Sequence, residues 1–435
     1  MLIVAKFGGS SLATSEQFKK VKSIVLENSD RRVVIVSALG KSENEDNKVT
    51  DLLYLLHAHL KYGVQYESIF ELIRKRYLLI KAELKLKYDV NAAFNELKAT
   101  LNKQTSVDVL VSKGEFFSAQ LLAEYIGYQF VDAKDVLKFK YDSQIDYEAS
   151  KSLFNDALEL NTRVVVPGFY GSYPNESIHL LPRGGSDLTG SIAARVLNAD
   201  LYENWTDVSG ILMADPRIVK HPKRINEITY RELRELSYMG ANVIHEDSII
   251  PLEEIGVPIC ILNTNAPHEG GTLIKKQCDE KSSIITGVAG KQDFTAFTIT
   301  KSNQAGKLKV IQEVLNIFEM FNIVIEHIPS SMDSFSVIVE TKQLENKFYN
   351  VMNQLHKTDG IINIEVVNEI ALISVVGRNM STKPGIAGKL FSCLGENHIN
   401  IILIAQSSQE INIVIGVKNS DFEKTIQTIY SSFVE

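Results

Sequence analysis

Cysteine is scarce in this 435-residue chain: Cys260, Cys278 and Cys393 stand too far apart for a zinc site or a disulfide framework. No apolar run reaches the 18 or so residues that a membrane helix needs. The opening Met1-Leu-Ile-Val-Ala-Lys6 reads as a strand, without the basic start and apolar run of a signal peptide, so a cytoplasmic location is expected. Basic charge is not in excess either. The net charge is −7, with both signs interspersed, which excludes nucleic acid as the main partner because phosphate-backbone binding needs a basic stripe. The nine histidines are scattered, and no Ser-His-Asp or Cys-His nucleophile pattern stands out.

What is present is rhythm. Up to about residue 275, Val- and Ile-rich runs at 2–7, 32–38, 129–133, 163–169, 199–205 and 258–263 alternate with helical patterns at 15–26, 115–126, 186–197 and 230–238. Such alternation predicts an α/β domain with a largely parallel sheet flanked by helices, and ligands at the carboxyl ends of its strands. Residues 48–101 lack the alternation and read as a helical insertion. After residue 284 an internal repeat begins. Asn322-Ile-Val-Ile-Glu-His-Ile resembles His398-Ile-Asn-Ile-Ile-Leu-Ile, and Ser334-Phe-Ser-Val-Ile-Val resembles Glu410-Ile-Asn-Ile-Val-Ile at the same offset. Each repeat reads β-α-β-β-α-β, the ferredoxin-like arrangement. The expected domains are therefore 1–275, 284–368 and 369–435.

Three glycine-containing turns carry chemistry. In Lys6-Phe-Gly8-Gly9-Ser10-Ser11, consecutive backbone N–H groups and a following helix would make an anion site, with Lys6 as a point charge. A tight β-α turn with a solvent-facing lysine fits this motif equally well. It is not a Walker loop, whose lysine follows its glycines. Arg183-Gly-Gly-Ser186-Asp187 is a second such turn. Arg183 offers a fork for a carboxylate and Asp187 an orienting acid, although Ser186 or Asp187 could simply cap the next helix. The third, Thr206-Asp207-Val-Ser-Gly210 followed by Asp215-Pro-Arg217, suits either a nucleotide or a surface hairpin. Glu115, after Gly114, is a first-turn acid favoured by the helix dipole or a ligand for an ammonium. Ser37 follows a strand and Thr50 precedes an apolar helix.

Taken together, the motifs resemble the aspartokinases, of the amino-acid kinase superfamily, and the C-terminal repeat resembles their tandem ACT domains. The fold this implies is an amino-acid kinase fold followed by two ferredoxin-like ACT domains. The implied reaction moves the ATP γ-phosphate to the β-carboxylate of L-aspartate, giving 4-phospho-L-aspartate, the first step towards lysine, threonine and methionine. Lys6 and Asp187 would be the catalytic pair. Arg183, Glu115, Ser37, Thr50 and Ser186 would hold aspartate. Lys6, Gly8, Gly9, Ser10, Thr206, Asp207, Gly210 and Arg217 would contact ATP, with Mg²⁺ arriving on the nucleotide rather than in a protein metal site. An amino-acid effector, lysine or threonine, would sit near Ser331, Asp333 and Ser334. A homodimer or homotetramer through the ACT domains is implied. The chain departs from the family at Asn242, where lysine is common, and at Leu212, Pro182, Ser407 and Gln409. No second Gly-x-Gly-x-x-Gly unit appears, so a monofunctional enzyme is expected rather than a fusion with homoserine dehydrogenase. The competing readings are a catalytically weak ACT-type amino-acid sensor and another carboxylate kinase of the superfamily.

Overall fold

The computed structural model describes residues 1–434 apart from 44, 161, 183, 242–243, 245, 279–283, 303–306, 379, 381–382 and 407–410. Contacts divide the chain into two units, one of residues 1–211, 224–230 and 243–278, the other of 212–223, 231–242 and 279–435. Two segments inside the first 275 residues thus pack with the second unit.

The first unit is built on one sheet of eight strands: β1 (Ile3–Phe7), β2 (Arg31–Val36), β3 (Gln129–Phe130), β4 (Val164–Pro167), β5 (Leu201–Thr206), β6 (Glu227–Thr229), β7 (Ile259–Asn263) and β8 (Thr272–Lys275). Their order across the sheet is β3-β4-β2-β1-β5-β7-β8-β6. All pairs are parallel except β7 with β8. The central strands β1, β2 and β4 are rich in Val and Ile and buried along almost their whole length, as strands covered on both faces must be. Strand order reverses between β1 and β5. The carboxyl end of the sheet opens a crevice at such a point, and ligands of α/β proteins bind there. Lys6 is on β1, directly opposite Asn204 of β5.

The insertion is helical, as its sequence predicts, with helices Val49–Tyr62, Glu67–Leu84 and Val90–Thr100. It is more than a cap. Phe70, Tyr77 and Phe94 join Phe117 of helix Lys113–Ile126 in the same core as β1 and β2, with the Phe94 and Phe117 rings stacked at 4.5 Å. The hairpin Tyr170–Ser172 with Ile178–Leu180, and strands β6 and β8, were not legible in the sequence because each has only three or four residues.

The second unit carries a six-stranded sheet: β9 (Gly287–Lys301), β10 (Ile325–His327), β11 (Ser334–Glu340), β12 (Ile361–Val376), β13 (Leu403–Ala405) and β14 (Asn412–Lys418). Its order is β10-β11-β9-β12-β14-β13. β9 and β12 are long because each serves both repeats. Each changes register near a residue of positive φ, Asp293 (68°) or Glu369 (58°), as a bulge between two halves requires. The β-α-β-β-α-β expectation holds for the first repeat, which ends on the first half of β12. The second repeat differs: its chain ends on helix Phe422–Val434, and its fourth strand is residues 287–291, paired with 372–376. Loop closure favours this arrangement, since that segment already lies beside β12.

Candidate active site

The β1 lysine is not solvent-facing. Lys6 is 6% exposed, its ammonium paired directly with Asp187 Oδ1 and donating to Asn204 Oδ1 at 3.4 Å. Asn204 Nδ2 donates to the same Asp187 oxygen at 3.0 Å. Three elements, β1, β5 and the first turn of helix Gly185–Val196, therefore converge on one charge pair, its lysine buried and its aspartate half-buried. The capping alternative for this helix fails. Its N-cap is Gly184, in the left-handed region at φ 76°, with no side-chain cap, so Ser186 and Asp187 lie inside the helix. Ser186 packs on Gly168 at the end of β4, where any Cβ would meet Ser186 atoms at 2.8 Å.

The Gly8-Gly9 turn differs from the expectation in one respect. Ser10–Leu12 is a single 3-10 turn, and the α-helix Ser15–Glu27 begins later, with Thr14 accepting from the Gln17 N–H. The short 3-10 turn offers no long helix dipole, and Gly8, Ser11 and Leu12 N–H already donate to Trp205 O, Gly8 O and Gly9 O, so an anion here would rest on the Gly9 and Ser10 N–H groups and on Lys6. Gly9 and Gly40 pack backbone to backbone: Gly40 N–H donates to Gly9 O at 2.9 Å, and a Cβ on Gly40 would lie 2.4 Å from Gly9 carbonyl carbon. Ser37 joins the same arrangement, donating to Phe7 O at 3.1 Å.

Among the described carboxyls, Glu115 is the one that burial raises most. It is 3% exposed in the first turn of helix Lys113–Ile126. Burial pushes its carboxyl up to about 8, against the opposing N–H groups of Ala38 and of Glu115 itself. Its Oε2 is buried and has no hydrogen-bond partner among the described residues. A lone buried acid costs stability unless something positive comes to it. Glu115 does lie in the first turn, as the dipole reading expects, but the dipole alone does not account for a carboxyl this buried. Thr50 is half-buried in the next helix, Val49–Tyr62.

Two residues of the insertion escaped the sequence reading. Tyr77 donates to Gly114 O at 2.7 Å, and burial raises its phenol. Arg76 is 5% exposed and donates to Gly40 O at 2.5 Å and Asn47 O at 2.8 Å. The only sequence signal was a cation set in the apolar stripe of Phe70, Ile73, Tyr77 and Ile80. Through Gly40, Arg76 fixes the Gly9 turn. Replacing it in Arg76→Met should leave both carbonyls unpaired and lower stability by about 3 kcal/mol, read from urea unfolding midpoints at unchanged m-value.

The loop that follows β5 is held at its base. Thr206 O accepts from Thr264 N–H at 2.9 Å, and Thr206 Oγ1 donates to Asp207 at 3.2 Å. Gly210 has φ 105° and a virtual Cβ 2.5 Å from Thr272 Oγ1, so only glycine fits. Arg217 belongs to the second unit, where its exposed guanidinium forks onto Asp215 at 2.5–3.0 Å. That pairing holds Asp215 below the usual carboxylate range. Also in the second unit, Ser331, Asp333 and Ser334 form a tight exposed turn. Ser331 N–H donates to Ser334 O, and Lys301 N–H donates to Asp333 O, both at 2.8 Å. Arg183, Asn242, Ser407 and Gln409 lie outside the described residues. Leu212 and Pro182 are half-buried and exposed, respectively. No described helix is long and apolar enough to cross a membrane.

Residues 1–263 match the amino acid kinase family, and residues 373–433 match the ACT domain. The chain is 33% identical to aspartokinase 3 of Bacillus subtilis (strain 168), over 99% of this chain and 98% of that protein. The crystal structure of Clostridium acetobutylicum aspartate kinase is similar over 99% of both chains, at 42% identity and a TM-score of 0.92. That of Escherichia coli aspartokinase III with aspartate and ADP is similar over the full length of both, at 26% identity and a TM-score of 0.76. The same enzyme with lysine and aspartate gives 27% and 0.77. With its kinase segment, its C-terminal sheet and its whole length accounted for, the chain belongs to the amino acid kinase family, among the aspartokinases.

Proposed function

We propose that this chain transfers the γ-phosphoryl group of ATP to the β-carboxylate of L-aspartate, with Lys6 and Asp187 as the catalytic pair. The observation that carries the substrate reading is the buried, unpartnered Glu115 oxygen, which suits the α-ammonium of an amino acid. Arg183 would take the α-carboxylate, with Ser37, Thr50 and Ser186 around the rest of the substrate. The acceptor carboxylate is ionised at neutral pH, so no general base is required. Alignment and charge neutralisation then carry the reaction. Lys6 meets the charge of the transferring phosphoryl, and Asp187 keeps the ammonium in place. The Gly9 and Ser10 amides of the Gly8-Gly9-Ser10 turn, with Thr206, Asp207 and Gly210, would hold the nucleotide. Mg²⁺ bound with ATP would neutralise the phosphates, and Asp187 would position it indirectly.

Aspartate and ADP are bound by the E. coli relative, and lysine by its T-state. By extension, lysine, with threonine as the competing effector, would act at the Ser331–Ser334 turn. The product, 4-phospho-L-aspartate, would enter lysine, threonine and methionine synthesis. A cytoplasmic enzyme assembled as a homodimer or homotetramer through its ACT domains completes the reading. The test is ATP-dependent acyl phosphate formation, trapped by hydroxylamine, with aspartate, glutamate or N-acetylglutamate as acceptor. Product with aspartate alone is expected, with inhibition by added lysine. A folded protein giving no hydroxamate with aspartate would sink the proposal in favour of another acceptor or a sensor.

A further inference from the structure

We propose that Asn204 is the positioning residue of the phosphoryl-transfer site, locking the Lys6 ammonium and the Asp187 carboxylate into one geometry. The proposal rests on the reading of Lys6 and Asp187 as the catalytic pair. Asn204 is 3% exposed, in a strand whose core neighbours are Tyr202, Glu203 and Trp205. Side chains alternate along a strand. Glu203 and Trp205 turn to the opposite face, where the Glu203 carboxylate takes Arg31 Nε at 2.7 Å and Trp205 Nε1 at 2.8 Å. That face is structural. Asn204 turns to the reacting face, and parallel register puts it directly beside Lys6.

A carboxamide is suited to this position because it carries a donor and an acceptor in one plane. Nδ2 donates to Asp187 Oδ1 and Oδ1 accepts from Lys6 Nζ, closing a three-membered ring of polar contacts with the ion pair itself. Leucine could make neither contact and aspartate only the second. Burying an amide in a strand is unfavourable unless both of its ends are satisfied, and here both are. The ammonium has three N–H donors. One goes to Asp187 and one to Asn204, which leaves a single donor for a transferring phosphoryl. The direct pair alone would let Lys6 rotate and the carboxylate swing about its own axis. With Asn204 the third donor has a fixed direction, which is what alignment catalysis requires.

The experiment compares the full-length parent with Asn204→Leu, Asn204→Asp, Lys6→Ala and Asp187→Ala, reading kcat, KM for each substrate, pH profiles and thermal midpoints. For Asn204→Leu, kcat is expected to fall by roughly 10- to 100-fold, with both KM values within about threefold of the parent. Asn204→Asp sets a second carboxylate against Asp187, and like charges sharing a site raise one pKa. The acidic limb of its log kcat profile should therefore move up by about one unit or more, a shift that a purely structural role would not produce. If Asn204→Leu melts early, the nearly isosteric Asn204→Asp decides through that pH shift. An Asn204→Leu enzyme with parental kcat, or an Asn204→Asp profile that does not move, would overturn the proposal while leaving the catalytic pair intact. Full activity in Lys6→Ala or Asp187→Ala would instead remove the pair on which the proposal stands.

Discussion

Lys6→Ala is expected to lower kcat by about 10³-fold while changing KM for aspartate and ATP only a few-fold. The reason is where the charge sits. A donor aimed at developing charge in a water-excluded site contributes far more than it would in water, and losing one such donor costs about 10²–10³ in kcat. Lys6 is buried and already oriented by Asp187 and Asn204, so little reorganisation is needed at the moment of transfer. Asp187→Ala should be comparably inactive because it leaves the ammonium without its anchor. The double variant should be no worse than either single one, since groups that act as a unit give non-additive losses. Stability should behave differently. Breaking one side of a buried pair leaves an uncompensated charge and costs roughly 3–5 kcal/mol, whereas removing both sides relieves it. Urea melts of the three variants check this. A Lys6→Ala enzyme within tenfold of the parent would rule out the assigned role.

Glu115→Gln should separate binding from stability. In the free enzyme burial pushes the Glu115 carboxyl up to about 8, so at pH 7 its proton must leave before the carboxylate can pair with the substrate ammonium. KM for aspartate should therefore fall about tenfold per pH unit between 6 and 8, then level off. Glutamine cannot ionise, so the variant should bind aspartate at least about 100-fold more weakly, with a flat pH profile. The sign for stability is the reverse. The folded value lies above the unfolded value of 4.5, so stability is complete below pH 4.5 and is lost as pH rises through 8. Glu115→Gln should consequently melt higher than the parent at pH 8, with the gap closing towards pH 4.5. Calorimetry of the ligand-free protein measures it. A KM independent of pH in the parent would show that Glu115 does not meet the ammonium. Selection for function accepts such a destabilising residue, as it does at other strained sites.

Much of the candidate site was legible because its residues sit in local motifs. Lys6 lies near the end of one strand with Gly8 and Gly9 directly after it, Gly184–Asp187 open one helix, and Glu115 follows Gly114. Each is a short stretch whose residue types have few other uses together. Arg76, Tyr77 and Asn204 escaped. Their roles depend on what lies across the fold: Gly40 is 36 residues before Arg76, and Lys6 is 198 before Asn204. An arginine on an apolar stripe or an asparagine in a strand names no partner until the packing is known.

The sequence by itself determined the periodicities, and with them the α/β kinase region, the helical insertion and the C-terminal repeat. It did so because burial of apolar faces at spacings of 2 and 3.6 is a local requirement. It also determined the glycine turns, because backbone geometry there tolerates little else. Tertiary structure alone decided which strand closes the second repeat, since strand 287–291 wins that position by proximity to 372–376 rather than by pattern. It alone buried the Glu115 carboxyl and pushed it up to about 8, because desolvation depends on everything packed around it. And it alone set Asn204 beside Lys6, because parallel register is fixed by the whole sheet and not by either strand.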